Sequence, residues 1–301
     1  MSQPFLLSDD VRAARQEGAP IVALETSVLA QGLPSPHNLE LAVDLDRRIR
    51  AEGAVPAWVA VDGGAIRVGL SRSMLEAISS PQARVAKVAR RDYPAVLAAG
   101  GLGATTVSAT LWAAAALGIE VMATGGIGGV HSHTGDVSAD LLEIARLPGL
   151  VVCAGPKSIV DPAATLERLE ELGVLVVGYG CDRLPFFLAR DAVLVLEHRV
   201  DTPPDAARLA RARAQLGVPS AVLLCNPIDP RHALDVPEVA QAVAECEQRA
   251  AARGITGKAV TPFLLSCLAE VTHGASLEAN LALLRANATL AAQVAVELAH
   301  G

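Results

Sequence analysis

Short apolar segments alternate with amphipathic segments along almost the whole chain. Runs rich in β-branched residues are typical of buried strands, and each is followed by a segment with apolar residues at helical spacing. This alternation predicts an α/β fold with a largely parallel central sheet, and we expect a three-layer α/β/α arrangement. No linker, low-complexity tract or internal repeat interrupts the pattern, so residues 1–301 are predicted to form a single domain.

The boundaries of the predicted elements follow from periodicity and from capping residues. Strands are predicted at 21–28, at two segments of 58–70 around the turn Asp62-Gly63-Gly64, and at 86–88, 120–124, 150–154, 174–179 and 220–225. Helices are predicted at 37–52, after Ser71, after Asp92, and at 104–117, 138–147, 161–172, 202–216 and 236–253, with two more in the last 40 residues. Ser35, Ser71, Asp161 and Thr202 are the expected N-caps.

Composition and charge exclude several classes of protein. The net charge is −7 and aromatic residues make up 3%, so no basic nucleic-acid-binding surface is expected. No apolar run approaches the ~20 residues of a membrane span, and the start lacks the basic region of a signal peptide, so we expect a cytoplasmic protein without membrane contact. The five cysteines form no C-x-x-C pair, which predicts reduced core thiols and neither a disulfide nor a zinc site.

Two glycine-rich segments follow predicted strands. Four glycines between 125 and 129 precede His131 and His133, and a nicotinamide fingerprint is disfavoured because no helix begins at these glycines. The loop either is a tight turn that needs positive φ angles or lets backbone N–H groups approach an oxyanion. The second segment, 100–106, leads into a predicted helix, where its threonines either cap the helix or help bind a phosphate.

Lys157 and Glu25 are the candidates for covalent and acid–base chemistry. Lys157 follows an apolar strand and is one of only three lysines in the chain. A partly desolvated lysine can lose its proton and act as a nucleophile, which arginine cannot do. Glu25 lies within an apolar strand and would suit proton transfer if that strand is buried. The alternatives are a surface turn for Lys157 and a water-facing edge strand for Glu25.

Other polar residues have both a functional and a structural interpretation. Asp136 and Asp140 flank a predicted helix start. Either Asp136 or Ser138 caps this helix with Asp140 in its first turn, or a carboxylate provides an oxygen ligand for Mg²⁺ or Mn²⁺. Lys87 is near a strand end and would pair with an anionic ligand, whereas Asn280 is either an exposed polar residue or part of a site. The residues alone indicate an α/β enzyme for a phosphorylated small molecule, with a Schiff-base lysine as one possibility.

Six motifs, in this order, resemble the pseudouridine-5′-phosphate glycosidase family, also called indigoidine synthase A-like. They are ALETSVLAQGLPSPHNLELA (23–42), GATTVSATL (103–111), TGGIGGVH (124–131), DVSADL (136–141), CAGPKSIVD (153–161) and ITGKAVTPFLL (255–265). The resemblance extends from about residue 20 to residue 297. One departure is Glu25-Thr26-Ser27, where the family commonly has Glu-Ser-Thr.

The resemblance implies reversible cleavage of pseudouridine 5′-phosphate to uracil and ribose 5-phosphate, aided by Mn²⁺, in a homotrimer. By motif, Glu25 resembles the proton donor, Lys157 the nucleophile and Asp136 the metal ligand. The positions that contact substrate or support the chemistry are matched by Lys87, Val107, Ser138, Ala139, Asp140 and Asn280. Two alternatives remain open: the same lysine chemistry on another phosphosugar or C-nucleoside, and a non-catalytic phosphoribosyl-binding protein.

Overall fold

One mixed sheet forms the centre of the protein, as seen in a computed structural model that describes residues 4–131 and 135–300. The strands of these described residues are β1 (Phe5–Leu7), β2 (Ile21–Glu25), β3 (Val55–Asp62), β4 (Ala65–Val68), β5 (Ala86–Val88), β6 (Gly103–Thr105), β7 (Val121–Ala123), β8 (Leu150–Cys153), β9 (Val176–Tyr179), β10 (His198–Val200) and β11 (Val222–Cys225). Their order is β1-β4-β3-β2-β7-β8-β11-β9-β10, and β6 pairs with both β3 and β5. Only the pairs β3–β4 and β3–β6 are antiparallel among these strands, so the predicted largely parallel sheet is confirmed.

Helices cover both faces of this sheet. They are α1 (Asp9–Glu17), α2 (His37–Ala51), α3 (Arg72–Ser79), α4 (Tyr93–Ala99), α5 (Val107–Ala116), α6 (Ala139–Arg146), α7 (Pro162–Glu171), α8 (Pro203–Gln215), α9 (Val236–Ala252), α10 (Val260–Val271) and α11 (Ala275–Ala299). A π-helical turn, Val28–Gly32, and 3₁₀ turns at Arg90–Asp92 and Gly257–Ala259 complete the set. One apolar core contains residues of α2, α8 and α11, and a second contains residues of α1, α5 and α6. The predicted α/β/α layering is therefore confirmed.

The long helix α11 lies in the first of these cores. Within the described residues it is the one helix long and apolar enough to cross a membrane, which the sequence-based expectation of no such segment did not anticipate. However, 56% of its most apolar stretch is buried, and Leu283, Leu284, Ala288 and Ala291 pack in the core. Burial of this kind is typical of the central helix of an α/β protein.

Local capping agrees with the predictions at three helices and differs at one. Ser71, Asp161 and Thr202 each accept a hydrogen bond from a backbone N–H of the first helical turn. Ser35 does not cap α2; the Ser35–Pro36 peptide bond is cis and the helix begins at His37 without a side-chain cap. The N-cap position falls on Pro36, one residue after Ser35, and proline has no side-chain acceptor for a cap.

The prediction of a helix from residue 104 is wrong at its start. Residues Gly103–Thr105 form β6, because β3 and β5 together offer backbone partners on both sides. Glycine suits position 103 of this strand, because a Cβ there would lie 2.6 Å from Val88 Cγ2. Helix α5 therefore begins only at Val107, and Thr105 is a strand residue that caps nothing.

The prediction that all cysteines are reduced is also wrong. Cys246 of α9 and Cys267 of α10 form a disulfide, with their Cα atoms 5.7 Å apart. The two helices pack against each other, which brings together cysteines separated by 21 positions in sequence. Among the described residues Cys153, Cys181 and Cys225 are free thiols, as expected.

Candidate active site

A cavity of about 280 Å³ lies at the carboxyl ends of β2, β5, β7 and β8. This is the edge at which α/β proteins usually bind ligands. Every site residue that the family resemblance implies lines it: Glu25, Lys87, Val107, Asp136, Ser138, Ala139, Asp140, Lys157 and Asn280. Of the second glycine-rich segment, only Thr106 reaches the cavity, together with Val107 and Ser108 at the start of α5.

Glu25 is the last residue of β2, a central strand between β3 and β7. Its side chain is 6% exposed, so the edge-strand alternative is wrong. Ser27 Oγ donates to one carboxylate oxygen of Glu25 at 2.5 Å, and Thr124 Oγ1 donates to the other at 2.5 Å. The exchange of Ser and Thr relative to the family motif thus keeps a hydroxyl donor at position 27. The carboxylate is held in one orientation at the cavity wall.

Lys157 reaches the same wall from the loop after β8. The residue is half-buried, and its Nζ donates to the carbonyl oxygen of Gly126 at 2.5 Å. Its backbone N–H also donates to the carbonyl of Ile127 at 2.9 Å. The loop is therefore attached to the glycine-rich segment at two points, and a simple surface turn does not describe Lys157.

The glycines of residues 125–129 permit close approach and do not serve a turn with positive φ, since none of them has one. A Cβ on Gly126 would lie 2.7 Å from the Phe187 ring, and one on Gly129 would lie 2.2 Å from Thr165 Oγ1. The tight-turn interpretation is therefore wrong. The backbone N–H of Gly128 does bind an anion, but that anion is the carboxylate of Asp140, at 2.9 Å.

Asp140 joins three parts of the site. The side chain is 6% exposed, and its other oxygen accepts the backbone N–H of Ser108, near the start of α5, at 3.0 Å. Ser138 is the N-cap of α6 and accepts the N–H of Asp140 at 3.2 Å. The carboxylate of Asp140 thus holds the starts of α5 and α6 and the glycine-rich segment together.

Asp136 is the exposed carboxylate at the cavity rim. Within residues 4–131 and 135–300, no group of three or more His, Cys, Asp or Glu side chains is arranged to hold a metal. Burial lowers the pKa of the nearby His131 imidazole, while the charge of Asp136 acts in the opposite direction. His133 lies outside the described residues.

Lys87 lies on β5 beside two further cations that the sequence did not single out. Burial lowers the pKa of the Lys87 amine, and the positive charge of Lys157 lowers it further. Lys258 Nζ forms an ion pair with Asp92 at 2.6 Å and also donates to the Lys87 carbonyl at 3.3 Å. Lys258 and Arg91 both line the cavity. Lys258 belongs to the family-like motif 255–265, which was the available signal, whereas Arg91 had none beyond its charge.

A second cavity of about 310 Å³ shares a wall with the first. That wall includes Gln31, Phe187 and Asn280. Asn280 is 7% exposed, so it is not an ordinary surface residue. Phe187 has a positive φ of 52°, and the buried Gln31 Oε1 atom has no hydrogen-bond partner within the described protein. Gln31 lies in a family-like motif, but no sequence pattern pointed to Phe187.

Comparison with known proteins gives matches along almost the whole chain. The family described as indigoidine synthase A like protein matches residues 10–297. A pseudouridine-5′-phosphate glycosidase of Symbiobacterium thermophilum is 48% identical over 99% of each chain, and one of Streptomyces griseus is 49% identical over 98% of this chain and 92% of its own.

Two solved structures share the fold. The prealnumycin C-glycosynthase AlnA, in complex with ribulose 5-phosphate, has a TM-score of 0.90 and 38% identity, covering 100% of this chain and 98% of that one. An indigoidine synthase A-like protein of Thermotoga maritima has a TM-score of 0.89 and 35% identity, covering 94% of each chain. The full-length sequence matches and the shared fold place this chain among the enzymes of the indigoidine synthase A-like family, together with the pseudouridine-5′-phosphate glycosidases.

Proposed function

We propose that the protein reversibly cleaves the carbon–carbon glycosidic bond of pseudouridine 5′-phosphate, giving uracil and ribose 5-phosphate. The observation that carries this proposal is the placement of Glu25 and Lys157 on one cavity wall, both hydrogen-bonded to the short segment from Thr124 to Gly126. A carboxyl group and an amine on one cavity wall suit acid-assisted ring opening followed by imine formation. The names of the full-length relatives support this substrate.

The chemistry differs from that of glycosidases with two carboxylates, because a uracil carbanion is a poor leaving group. In the proposed sequence the C1′–O4′ bond breaks, the oxygen takes a proton from Glu25, and C1′ becomes conjugated with the uracil ring. The neutral amine of Lys157 then bonds to C1′ and gives up a proton. The C1′–uracil electron pair passes to carbon 5 of uracil, which takes a proton, while the nitrogen lone pair closes the imine. Water finally releases ribose 5-phosphate and the free amine.

The phosphate of the substrate would bind beside Lys87. The start of α5 at Val107 and the start of α6 at Ser138 and Ala139 both reach the cavity. Helix N-termini and a lysine are suitable partners for a phosphate dianion. Phosphate would also favour the protonated form of Lys87, whose pKa burial lowers. The placement of the cationic groups therefore supports a phosphorylated substrate.

Mn²⁺ fits this cavity only as a partly hydrated ion. Asp136 would hold it as a carboxylate ligand, since the described residues contain no group of three or more His, Cys, Asp or Glu side chains that could hold a metal. Hard cations such as Mg²⁺ and Mn²⁺ are commonly bound by one or two carboxylates, with waters and substrate oxygens completing the shell. When bound, such an ion supplies positive charge that orients and polarises substrate oxygens.

A second candidate is lysine-imine chemistry with another C-nucleoside or aromatic acceptor. The structural similarity to a C-glycosynthase favours it, as does the second cavity, which leaves about 310 Å³ beyond the shared wall. A panel of aromatic acceptors offered with ribose 5-phosphate separates this candidate from the first by the product formed.

The direct test is incubation with pseudouridine 5′-phosphate and Mn²⁺, followed by chromatography for uracil and ribose 5-phosphate. We expect both products in equal amounts, and removal of the ion with EDTA should slow their formation. Product in the acceptor panel alone would favour the second candidate. Tight binding of ribose 5-phosphate without product in either assay would indicate a non-catalytic phosphoribosyl-binding protein.

We further propose that the protein acts as a cytoplasmic homotrimer, as the family resemblance implies. Exposed apolar side chains, among them Val193 at 66% and Val195 at 74%, support contact with other copies. Light scattering after gel filtration should give three times the 31.0 kDa chain mass. A mass of one chain at assay concentration would contradict the trimer.

A further inference from the structure

A segment of three residues, Thr124–Gly126, joins the two candidate catalytic side chains. It follows β7 and begins with Thr124, whose Oγ1 donates to Glu25. It ends with Gly126, whose carbonyl oxygen accepts from Lys157 Nζ. The relative position of the carboxylate and the amine therefore depends on the backbone of this segment.

Asn287 of α11 holds the middle of the segment from behind. The side chain is 1% exposed, and its Nδ2 donates to the carbonyl oxygens of Thr124 at 2.9 Å and Gly125 at 3.2 Å. Its Oδ1 accepts from Asn226 Nδ2, just after β11, at 3.0 Å. Both amide protons and the amide oxygen are thus used. A flipped amide would set Oδ1 against two carbonyl oxygens, so these carbonyls fix the orientation of the Asn287 amide and Asn226 donates to its Oδ1.

Backbone satisfaction explains only one of the two contacts of this asparagine, the one with the Thr124 carbonyl. The carbonyl oxygen of Gly125 also accepts the N–H of Ala154 at 2.8 Å, so it would keep a partner without Asn287. The helix around position 287 is otherwise apolar, with Leu284, Ala288 and Ala291 in the core. Placing an amide there is unfavourable unless its hydrogen bonds fix something that an apolar residue would leave free.

We propose that Asn287 is a positioning residue that sets the placement of Glu25 relative to Lys157. This proposal rests on the proposed function, because it assumes that Glu25 and Lys157 act on the two bonded atoms O4′ and C1′ of one substrate. An amine and a proton donor must reach their target atoms with small tolerance, and a misplacement of about 1 Å can lower the rate ~100-fold. Neither Asn287 nor Asn226 lines the cavity, so their effect on substrate binding should be small.

The test compares Asn287→Leu with a matched variant of another buried asparagine. Leucine removes the hydrogen bonds while keeping the side chain close in size. Asn38 is the control, since it is 4% exposed and its Nδ2 also donates to two carbonyls, those of Leu29 and Ser79, both at 2.9 Å. Asn38→Leu should lower stability to a similar degree without moving the segment between the catalytic side chains.

For Asn287→Leu we expect kcat for pseudouridine 5′-phosphate cleavage to fall ~100-fold while KM changes less than about threefold. The control variant Asn38→Leu should keep kcat within about threefold of the wild-type value. Each kcat is corrected for the folded fraction, which is measured by urea denaturation. Asn226→Leu, which removes only the partner of Asn287 Oδ1, should lower kcat by a smaller factor, and it remains informative if Asn287→Leu does not fold. Effects of the two substitutions should be non-additive in the double variant.

Wild-type activity separates the possible failures. If the wild-type protein shows no cleavage, the proposed function fails and this proposal fails with it. If the wild type is active and Asn287→Leu loses no more kcat than the Asn38 control, the positioning role is contradicted while the proposed function stands. A rise in KM equal to the loss of kcat would also contradict it, since that result indicates general damage to the cavity.

Discussion

Three properties of Lys157 point to covalent chemistry. It is one of only three lysines, it lies at a strand end, and it lines the cavity next to Glu25. Its type and place could be predicted from the sequence, because both depend on neighbours along the chain. The burial of Glu25 could not, since it depends on β2 lying between β3 and β7, which are distant in sequence. The same holds for Asn287, whose partners are more than 60 positions away.

Substitution of Lys157 should abolish cleavage while the fold survives. Lys157→Ala removes the amine. Lys157→Arg replaces it with a guanidinium group, which stays protonated near neutral pH and cannot act as a nucleophile. We expect activity in both variants to fall to the detection limit, with circular dichroism and melting temperature close to wild type. Appreciable turnover by Lys157→Arg would rule out the imine mechanism.

Substrate binding should weaken at alkaline pH because Lys87 loses its charge. Its pKa is lowered below the ordinary 10.5 by burial and by Lys157, so the free amine forms as the pH rises through that lowered value. Loss of the charge weakens attraction to phosphate. KM for pseudouridine 5′-phosphate should therefore rise with pH in this range for the wild type. In Lys87→Met it should be high throughout without this dependence, and parallel profiles for both proteins would refute the assignment.

At the level of elements, the features that depend on neighbouring residues could be predicted, and those that depend on distant segments could not. Strand-to-loop transitions and helix caps could be predicted because they depend on local residue types, as at Ser71 and Asp161. The strand β6 was missed because its three residues become a strand only through pairing with β3 and β5. The reason for the glycines after β7 could not be predicted either. The atoms that would crowd a Cβ at these positions belong to Phe187 and Thr165, which are distant in sequence.

Gly129→Ala should destabilise the protein. The new Cβ would lie 2.2 Å from Thr165 Oγ1 and 2.8 Å from Val160 Cγ2, so the loop or α7 must shift. Overpacking of this kind lowers the free energy of unfolding by about 1–3 kcal/mol. The matched change is Gly101→Ala, which meets no atom within 4 Å and should have little effect. Equal urea midpoints for the two variants would show that the segment relaxes freely.

The bond between α9 and α10 should be detectable by thiol counting. In urea without reductant, three of the five cysteines should react with a thiol reagent, and all five after reduction. Loss of the bond in Cys246→Ala should lower the free energy of unfolding by about 2–4 kcal/mol. Five reactive thiols in the unreduced protein would show that the bond is absent under those conditions.

For the whole molecule, the alternation of strands and helices was sufficient to predict an α/β/α fold with a largely parallel sheet. It did not determine the strand order or the Cys246–Cys267 bond, because both arise from contacts between distant segments. The strand order is what brings Glu25, Lys87 and Lys157 to a single edge. The cavity therefore depends on the strand order. The sequence motifs identify residues that line the cavity but not how these residues are arranged.

The measurement that tests the account most directly is chemical trapping of the imine. The protein is incubated with ribose 5-phosphate and borohydride, digested, and mapped by mass spectrometry. With lysines only at 87, 157 and 258, the modified position is unambiguous. We predict a reduced pentose-phosphate adduct on Lys157 and none in Lys157→Ala. An enzyme that cleaves pseudouridine 5′-phosphate but forms no adduct, or forms one only at Lys87 or Lys258, would contradict the proposed mechanism.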